Sequence, residues 1–244
     1  MKWYIGCSGY HYKDWKEIFY PIGLPQRKWF EYYSSYFDTL ELNVTFYRFP
    51  QLKFLENWYA VSPRDFRFSV KVPRLITHYK QFNDCDRLLT DFYETTMNGL
   101  KEKLGAVLFQ LPPSFSYSPE RFDVLIKSMQ KGFQNVIEFR HASWWNKEVF
   151  ANLKKEKIIF AGISYPSLPE DVIANHKVAY YRFHGKPKLY YSSYPTKALK
   201  SVADSLSKEK LVKEVYVYFN NTATIAAIKN ALWLKKYLKQ THES

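Results

Sequence analysis

The chain has 244 residues, with 36 lysines and arginines against 23 acidic residues, and 19% of it is aromatic. That balance excludes disordered, collagenous and coiled-coil proteins, and the length is enough for one substantial core. The longest uninterrupted apolar run, around Ile158–Gly162, is far shorter than the ~20 residues of a membrane-spanning helix. The start, Met1-Lys2-Trp3-Tyr4-Ile5-Gly6, lacks the apolar stretch of a secretory signal. Cys7 and Cys85 lie far apart and form no C-x-x-C, so a reducing, cytoplasmic setting without disulfides or membrane association is expected.

The formal charge of +13 draws such a protein toward polyanions: nucleic acid, an anionic surface or a phosphorylated substrate. Part of that excess coats amphipathic segments such as Leu153-Lys154-Lys155-Glu156-Lys157, where it serves solubility rather than binding.

In chain order, short apolar runs predict strands at Trp3–Cys7, Thr39–Leu42, Arg67–Val70, Ala106–Gln110, Val136–Phe139, Ile159–Ile163, Ala179–Phe183 and Val215–Phe219. Helical periodicity predicts helices at Gln26–Tyr36, Gln51–Tyr59, Asp86–Lys103, Pro119–Lys131, Asn146–Lys157, Thr196–Lys210 and Thr222–Leu238. Ser118 before Pro119 is a helix start, a cap followed by proline at the first helical position. The segment Pro169–Asn175 carries one turn or none, so the sixth strand–helix unit is irregular. Alternation of this kind argues for a parallel α/β sheet, and eight units favour a closed (β/α)8 TIM-type barrel. The turn Gly6-Cys7-Ser8-Gly9 lacks the G-x-G-x-x-G of an open dinucleotide-binding sheet. One domain spanning residues 1–244 is expected.

In such a barrel the chemistry sits where the strands end. Those ends carry Ser8; Glu41, Asn43, Tyr47 and Arg48; Lys71, Arg74 and His78; Gln110; Glu138, Arg140, His141 and Trp144; Ser164; Arg182 and His184; and Asn220 with Asn221. Glu41 and Glu138 stand in or beside apolar runs, where an unpaired charge is costly, so each should meet Lys71, Arg140 or Arg182. Cations outnumber carboxylates, which favours an anionic ligand, and arginine suits bidentate phosphate contacts. Neighbouring aromatics, Trp144 among them, offer stacking platforms or simply pack the loops. There is no H-x-H or H-E-x-x-H, and nearby cations repel a divalent ion, so neither a metal nor another cofactor is expected.

The leading expectation is a phosphate-bearing ligand, with nucleic acid, DNA or RNA, the foremost partner class, and phosphoester hydrolysis as the reaction. Arg140, Arg182 and Lys71 would neutralise phosphate. Glu138 or Glu41 would act as base and His141 or His184 as acid. Asn43, Tyr47, Arg48, His78, Gln110, Trp144, Asn220 and Asn221 would complete the binding site. Two rivals stand beside it: a carbohydrate-active enzyme using Glu41 and Glu138, and a basic nucleic-acid-binding module without chemistry. A strand-end salt-bridge network with a purely structural role is the remaining alternative.

The same residues carry a resemblance. Gly6-Cys7-Ser8-Gly9-Tyr10, Glu41-Leu42-Asn43-Val44-Thr45-Phe46-Tyr47-Arg48, Phe109-Gln110-Leu111-Pro112-Pro113, Glu138-Phe139-Arg140-His141 and Tyr181-Arg182-Phe183-His184-Gly185 resemble the YecE-like family, domain of unknown function 72. Phe66–Lys71 with Thr77-His78, and Tyr216–Asn221, extend the likeness over nearly the whole chain. The resemblance implies a TIM-barrel-like fold similar to that of endonuclease IV and xylose isomerase, and with it a suggestion of DNA binding or repair. The chain departs from the family pattern at Ser164-Tyr165-Pro166, where an aspartate is expected, and over Thr222–Ala227.

Overall fold

The computed structural model describes residues 1–242. All eight expected strands form: β1 (Lys2–Cys7), β2 (Thr39–Leu42), β3 (Arg67–Lys71), β4 (Leu104–Gln110), β5 (Asn135–Glu138), β6 (Ile159–Ser164), β7 (Val178–Phe183) and β8 (Glu214–Phe219). Their order in the sheet is β1-β8-β7-β6-β5-β4-β3-β2, and a parallel bridge between Ser8 and Glu41 links the two end strands. Every residue of β2, β5, β6 and β7 is buried, the mark of parallel strands covered on both faces. This is a TIM-barrel-like α/β fold.

The helices are α1 (Trp29–Tyr36), α2 (Val44–Tyr47), α3 (Leu52–Val61), α4 (Asp86–Leu100), α5 (Pro119–Ser128), α6 (Lys147–Lys155), α7 (Thr196–Lys208) and α8 (Ala226–His242). Ser118 caps α5 as expected, its hydroxyl accepting the Arg121 N–H with Pro119 in the first turn. Asn146 caps α6 in the same way, accepting the Val149 N–H at 2.9 Å. Several expected helix ends are corrected. Residues 26–28 form a 3-10 turn ahead of α1, α4 stops at Leu100, and α5 stops at Ser128. α6 ends at Lys155 with Lys157 in the left-handed region (φ 59), and α8 begins at Ala226 rather than Thr222. Residues 165–177, between β6 and β7, hold neither helix nor strand.

The chain divides into two compact units, one comprising Met1–Glu41 with the chain from Gly162 onward, the other Leu42–Ala161. In the first, Gly6 admits close approach of the backbone: a Cβ there would stand 2.2 Å from the Thr39 carbonyl oxygen. The Tyr33 hydroxyl accepts the Cys7 N–H at 2.7 Å and donates to the Thr39 carbonyl at 3.0 Å, tying β1 to β2. In the second unit, a stack of aromatic rings fills the interior. Trp144 lies 4.1 Å from Phe139 and 5.9 Å from Phe115, its ring nearly parallel to both. No helix of the described residues is long and apolar enough to cross a membrane.

Candidate functional site

The polar strand ends gather into two clusters, one in each unit. In the unit Leu42–Ala161, β3 delivers Lys71, whose stem is buried and whose Nζ lies 3.8 Å above the Phe46 ring. Thr45 holds α2 against that strand end, its hydroxyl lying 2.6 Å from the Lys71 carbonyl and 2.8 Å from the Leu42 carbonyl. After Pro73 the chain makes a π-helical turn, Leu75–Tyr79, which places His78 edge-on to Phe46 at 5.0 Å. Such turns are rare and concentrate at functional sites.

The hydrogen bonds of His78 fix its tautomer. The Gln110 side-chain nitrogen donates to the Leu111 carbonyl at 2.7 Å and also faces His78 Nε2 at 3.4 Å, so Nε2 accepts. Nδ1 therefore carries the proton and donates to the Thr77 hydroxyl at 2.8 Å. Burial, then the charges of Lys71, Arg140 and Arg74, push the imidazole down to about 4, so His78 is neutral near pH 7.

Across the β4–β5 ladder Gln110 is paired with Glu138. Glu138 is fully buried, and the Arg140 guanidinium donates to its carboxylate. Arg74 lies between two tyrosines, its guanidinium carbon 5.3 Å from the Tyr47 ring and 5.4 Å from the Tyr79 ring. Asn43 precedes α2, and its buried side-chain oxygen has no partner among the described residues. Arg48 is exposed on the surface.

One expectation for this unit is corrected. Trp144 is not a ligand platform: it is fully buried, stacked on Phe139, with its indole N–H donating to the Phe115 carbonyl at 2.7 Å. His141 caps the 3-10 turn that follows, its Nδ1 2.8 Å from the Ser143 hydroxyl and accepting the Ser143 N–H.

The second cluster, in the other unit, centres on Glu41, which is fully buried. Ser8 and Arg182 donate to its Oε1 and Tyr180 to its Oε2, each at 2.6 Å. Burial and the charge of Glu41 hold the Tyr180 hydroxyl well above the usual phenol range, so it stays a donor. Three donors leave Glu41 little lone-pair capacity for a base, and it acts instead as the strut that orders β1, β2 and β7. Arg182 also faces His184 Nε2 at 3.5 Å, and Asn220 reaches its Nδ1 at 3.0 Å. His184 is fully buried, which removes it from contact with solvent or an acid–base role at the surface. Asn221 belongs to a loop tie, donating to the Ser192 carbonyl at 2.9 Å and to the Asn230 side-chain oxygen at 3.0 Å. Burial pushes the Cys7 thiol far up, so it is no nucleophile.

Tyr180, Tyr79 and Glu170 were not among the expected site residues. Tyr180 was findable: it shares a strand face with Arg182 two residues on, the period of β structure. Glu170 had no such signal. It lies in the irregular stretch after β6, where it accepts from the Ser164 hydroxyl at 2.6 Å and pairs with Lys186 at 3.2 Å. A carboxylate thus reaches the sixth strand end from the loop. Among the described residues no group of three or more His, Cys, Asp or Glu side chains is assembled as a metal site.

Residues 4–244 match the family described as "Protein of unknown function DUF72". The chain belongs to the DUF72 family. UPF0759 protein YecE of Escherichia coli O157:H7 is similar at 29% identity over 178 residues, 68% of this chain and 62% of that protein. The chain therefore spans less than two thirds of that relative's length. The crystal structure of a DUF72 family protein (TM1631) from Thermotoga maritima superposes with a TM-score of 0.88 at 30% identity, covering 98% of this chain and 100% of that one. A structure of D-psicose 3-epimerase with D-tagatose from Clostridium cellulolyticum H10 matches 98% of this chain and 99% of its own at a TM-score of 0.58 and 10% identity. At that identity the epimerase speaks for the barrel alone, since one fold hosts many chemistries.

Proposed function

We propose that this DUF72 protein binds a phosphate-bearing anion at the strand ends of the Leu42–Ala161 unit, with Lys71, Arg74 and Arg140 as the cationic contacts. The observation that carries the reading is the environment of His78. Three cations act on one neutral imidazole, with Lys71 over the Phe46 ring and Arg74 between Tyr47 and Tyr79, while Glu138 pairs with Arg140. A half-enclosed site of that sign stabilises an anion more than water-exposed lysines would, because the local dielectric is low. The acid–base roles expected for Glu41 and Glu138 do not enter this reading. Both carboxylates are enclosed and committed to arginines, which also disfavours the glycosidase pairing.

Titration calorimetry with inorganic phosphate tests it. Lys71→Met should weaken phosphate at least tenfold without altering thermal unfolding by circular dichroism. Unchanged phosphate affinity in a folded Lys71→Met protein overturns the reading. Lys71 is a better probe than Arg140, whose removal takes the adjacent cation from a fully buried carboxylate.

A further inference from the structure

The anion site continues outward into a surface of exposed aromatic rings. Tyr47 and Tyr79 are 65% and 66% exposed, and the Arg74 guanidinium sits over both. Phe46 connects them to the interior, edge-on to Tyr47 at 5.2 Å and under the Lys71 ammonium. Cation and ring therefore alternate from Lys71 through Phe46 and Tyr47 to Arg74 and Tyr79. Nothing in folding requires two tyrosine rings to stand this far into water, since their burial would be favourable.

The segment that carries them is held in an unusual backbone. Tyr79 ends the π-helical turn, and Gln81, Phe82 and Asp84 follow in the left-handed region with φ of 46, 70 and 48. A non-glycine residue in that region costs on the order of 1 kcal/mol or more. The run is anchored by Phe82, which is buried against Phe109 and Phe115 at 6.2 and 6.3 Å. The interior thus sustains a strained loop whose product is the presentation of His78 inward and Tyr79 outward.

We propose that the anion bound here is part of single-stranded nucleic acid, with a phosphate at Lys71 and Arg74 and an unpaired base stacked on Tyr47 or Tyr79. The inference rests on the anion-binding reading and adds the aromatic half of the ligand. A basic groove with aromatic platforms is the common solution for unpaired strands, because every base offers a π-face and stacking tolerates any sequence. A duplex keeps those faces internal, so exposed tyrosine rings select the unpaired form. Arginine stacked between rings adds a cation–π contribution and a phosphate donor from one side chain. The formal charge of +13 supplies the long-range attraction.

Fluorescence anisotropy tests this with labelled oligo(dT) of about eight nucleotides, within the span that such surfaces cover. A matched strand with abasic sites, which keeps every phosphate and lacks every base, is the second probe, and inorganic phosphate by calorimetry is the third. Intact oligo(dT) should bind at least tenfold more tightly than the abasic strand. Tyr47→Ala and Tyr79→Ala should each weaken oligo(dT) roughly tenfold and inorganic phosphate by much less, and Tyr79→Phe should retain wild-type binding. Equal binding of intact and abasic strands, or wild-type oligo(dT) affinity in the Tyr47→Ala/Tyr79→Ala protein, overturns the stacking inference while the phosphate result stands. Failure of all three probes to bind overturns this inference and the anion reading together.

Discussion

Arg182 Nη2 stands 2.6 Å from Glu41 Oε1 with both side chains wholly removed from solvent. The pair is completed by the Ser8 and Tyr180 hydroxyls, so Glu41 is satisfied within its own unit. Removing one member of a buried pair leaves the other charge without its counter-ion, at a cost of about 3–5 kcal/mol. Arg182→Met should therefore lower urea-unfolding stability by about that amount. Adding Glu41→Gln to it should recover a large part of the loss, because the stranded charge is gone. A double variant no more stable than Arg182→Met would show that the guanidinium acts mainly through packing.

His78 makes stability depend on pH. Its folded-state value is about 4, below the 6.5 of an unconstrained imidazole. Between those limits the unfolded chain binds a proton that the folded chain refuses, so stability falls as the pH drops from 6.5 toward 4 and then levels. Thermal midpoints measured across that window should decline in the wild type and decline less in His78→Gln. A bound anion reverses the field on the imidazole. The affinity of dimethyl phosphate, whose charge is constant in this range, should therefore rise as the pH falls, and the rise should vanish in His78→Gln.

Trp144 separates packing from binding. It is stacked between Phe139 and Phe115 in the core, so Trp144→Ala should cost about 3–5 kcal/mol by urea unfolding. Below the unfolding transition the variant should bind inorganic phosphate as the wild type does. A selective loss of binding without a loss of stability would return Trp144 to the ligand site.

Lys157 ends α6 in a conformation that glycine adopts without steric cost, with φ at 59. The Ile158 N–H bonds back to the Leu153 carbonyl at 2.9 Å, closing the helix in the usual left-handed manner. Lys157→Gly should raise stability by about 0.5–1 kcal/mol, read as an upward shift in the thermal midpoint.

That residue also explains where the sequence was hard to read. Strands were legible because each is a short apolar run bounded by turn residues, and all eight fell where such runs fall. Helix ends were not, because Lys101 and Lys157 occupy left-handed positions where glycine would announce a stop. The periodic pattern runs through them without a break. At the site, Glu41, Lys71, Gln110, Glu138, Arg140 and Arg182 were legible as polar residues at the ends of apolar strands. What sequence could not separate was a carboxylate enclosed by donors, like Glu41, from a cation set against an aromatic ring, like Lys71. Trp144 and His141 show the same limit from the other side. Their spacing put them beside Arg140, but the turn after β5 sends one into the core and the other into a cap.

The two thiols form a pair of internal clocks. Cys7 is the buried last residue of β1, while Cys85 follows directly on the left-handed run that presents Tyr79. Both are buried and both thiols are pushed up, so neither reacts with a disulfide reagent until its surroundings part. Cys7 becomes available only when β1 leaves the sheet, whereas Cys85 needs no more than the loosening of one loop. Labelling rates at the two positions would therefore time local breathing and global opening in a single untagged molecule. Any ligand that braces the loop would slow one clock and leave the other running.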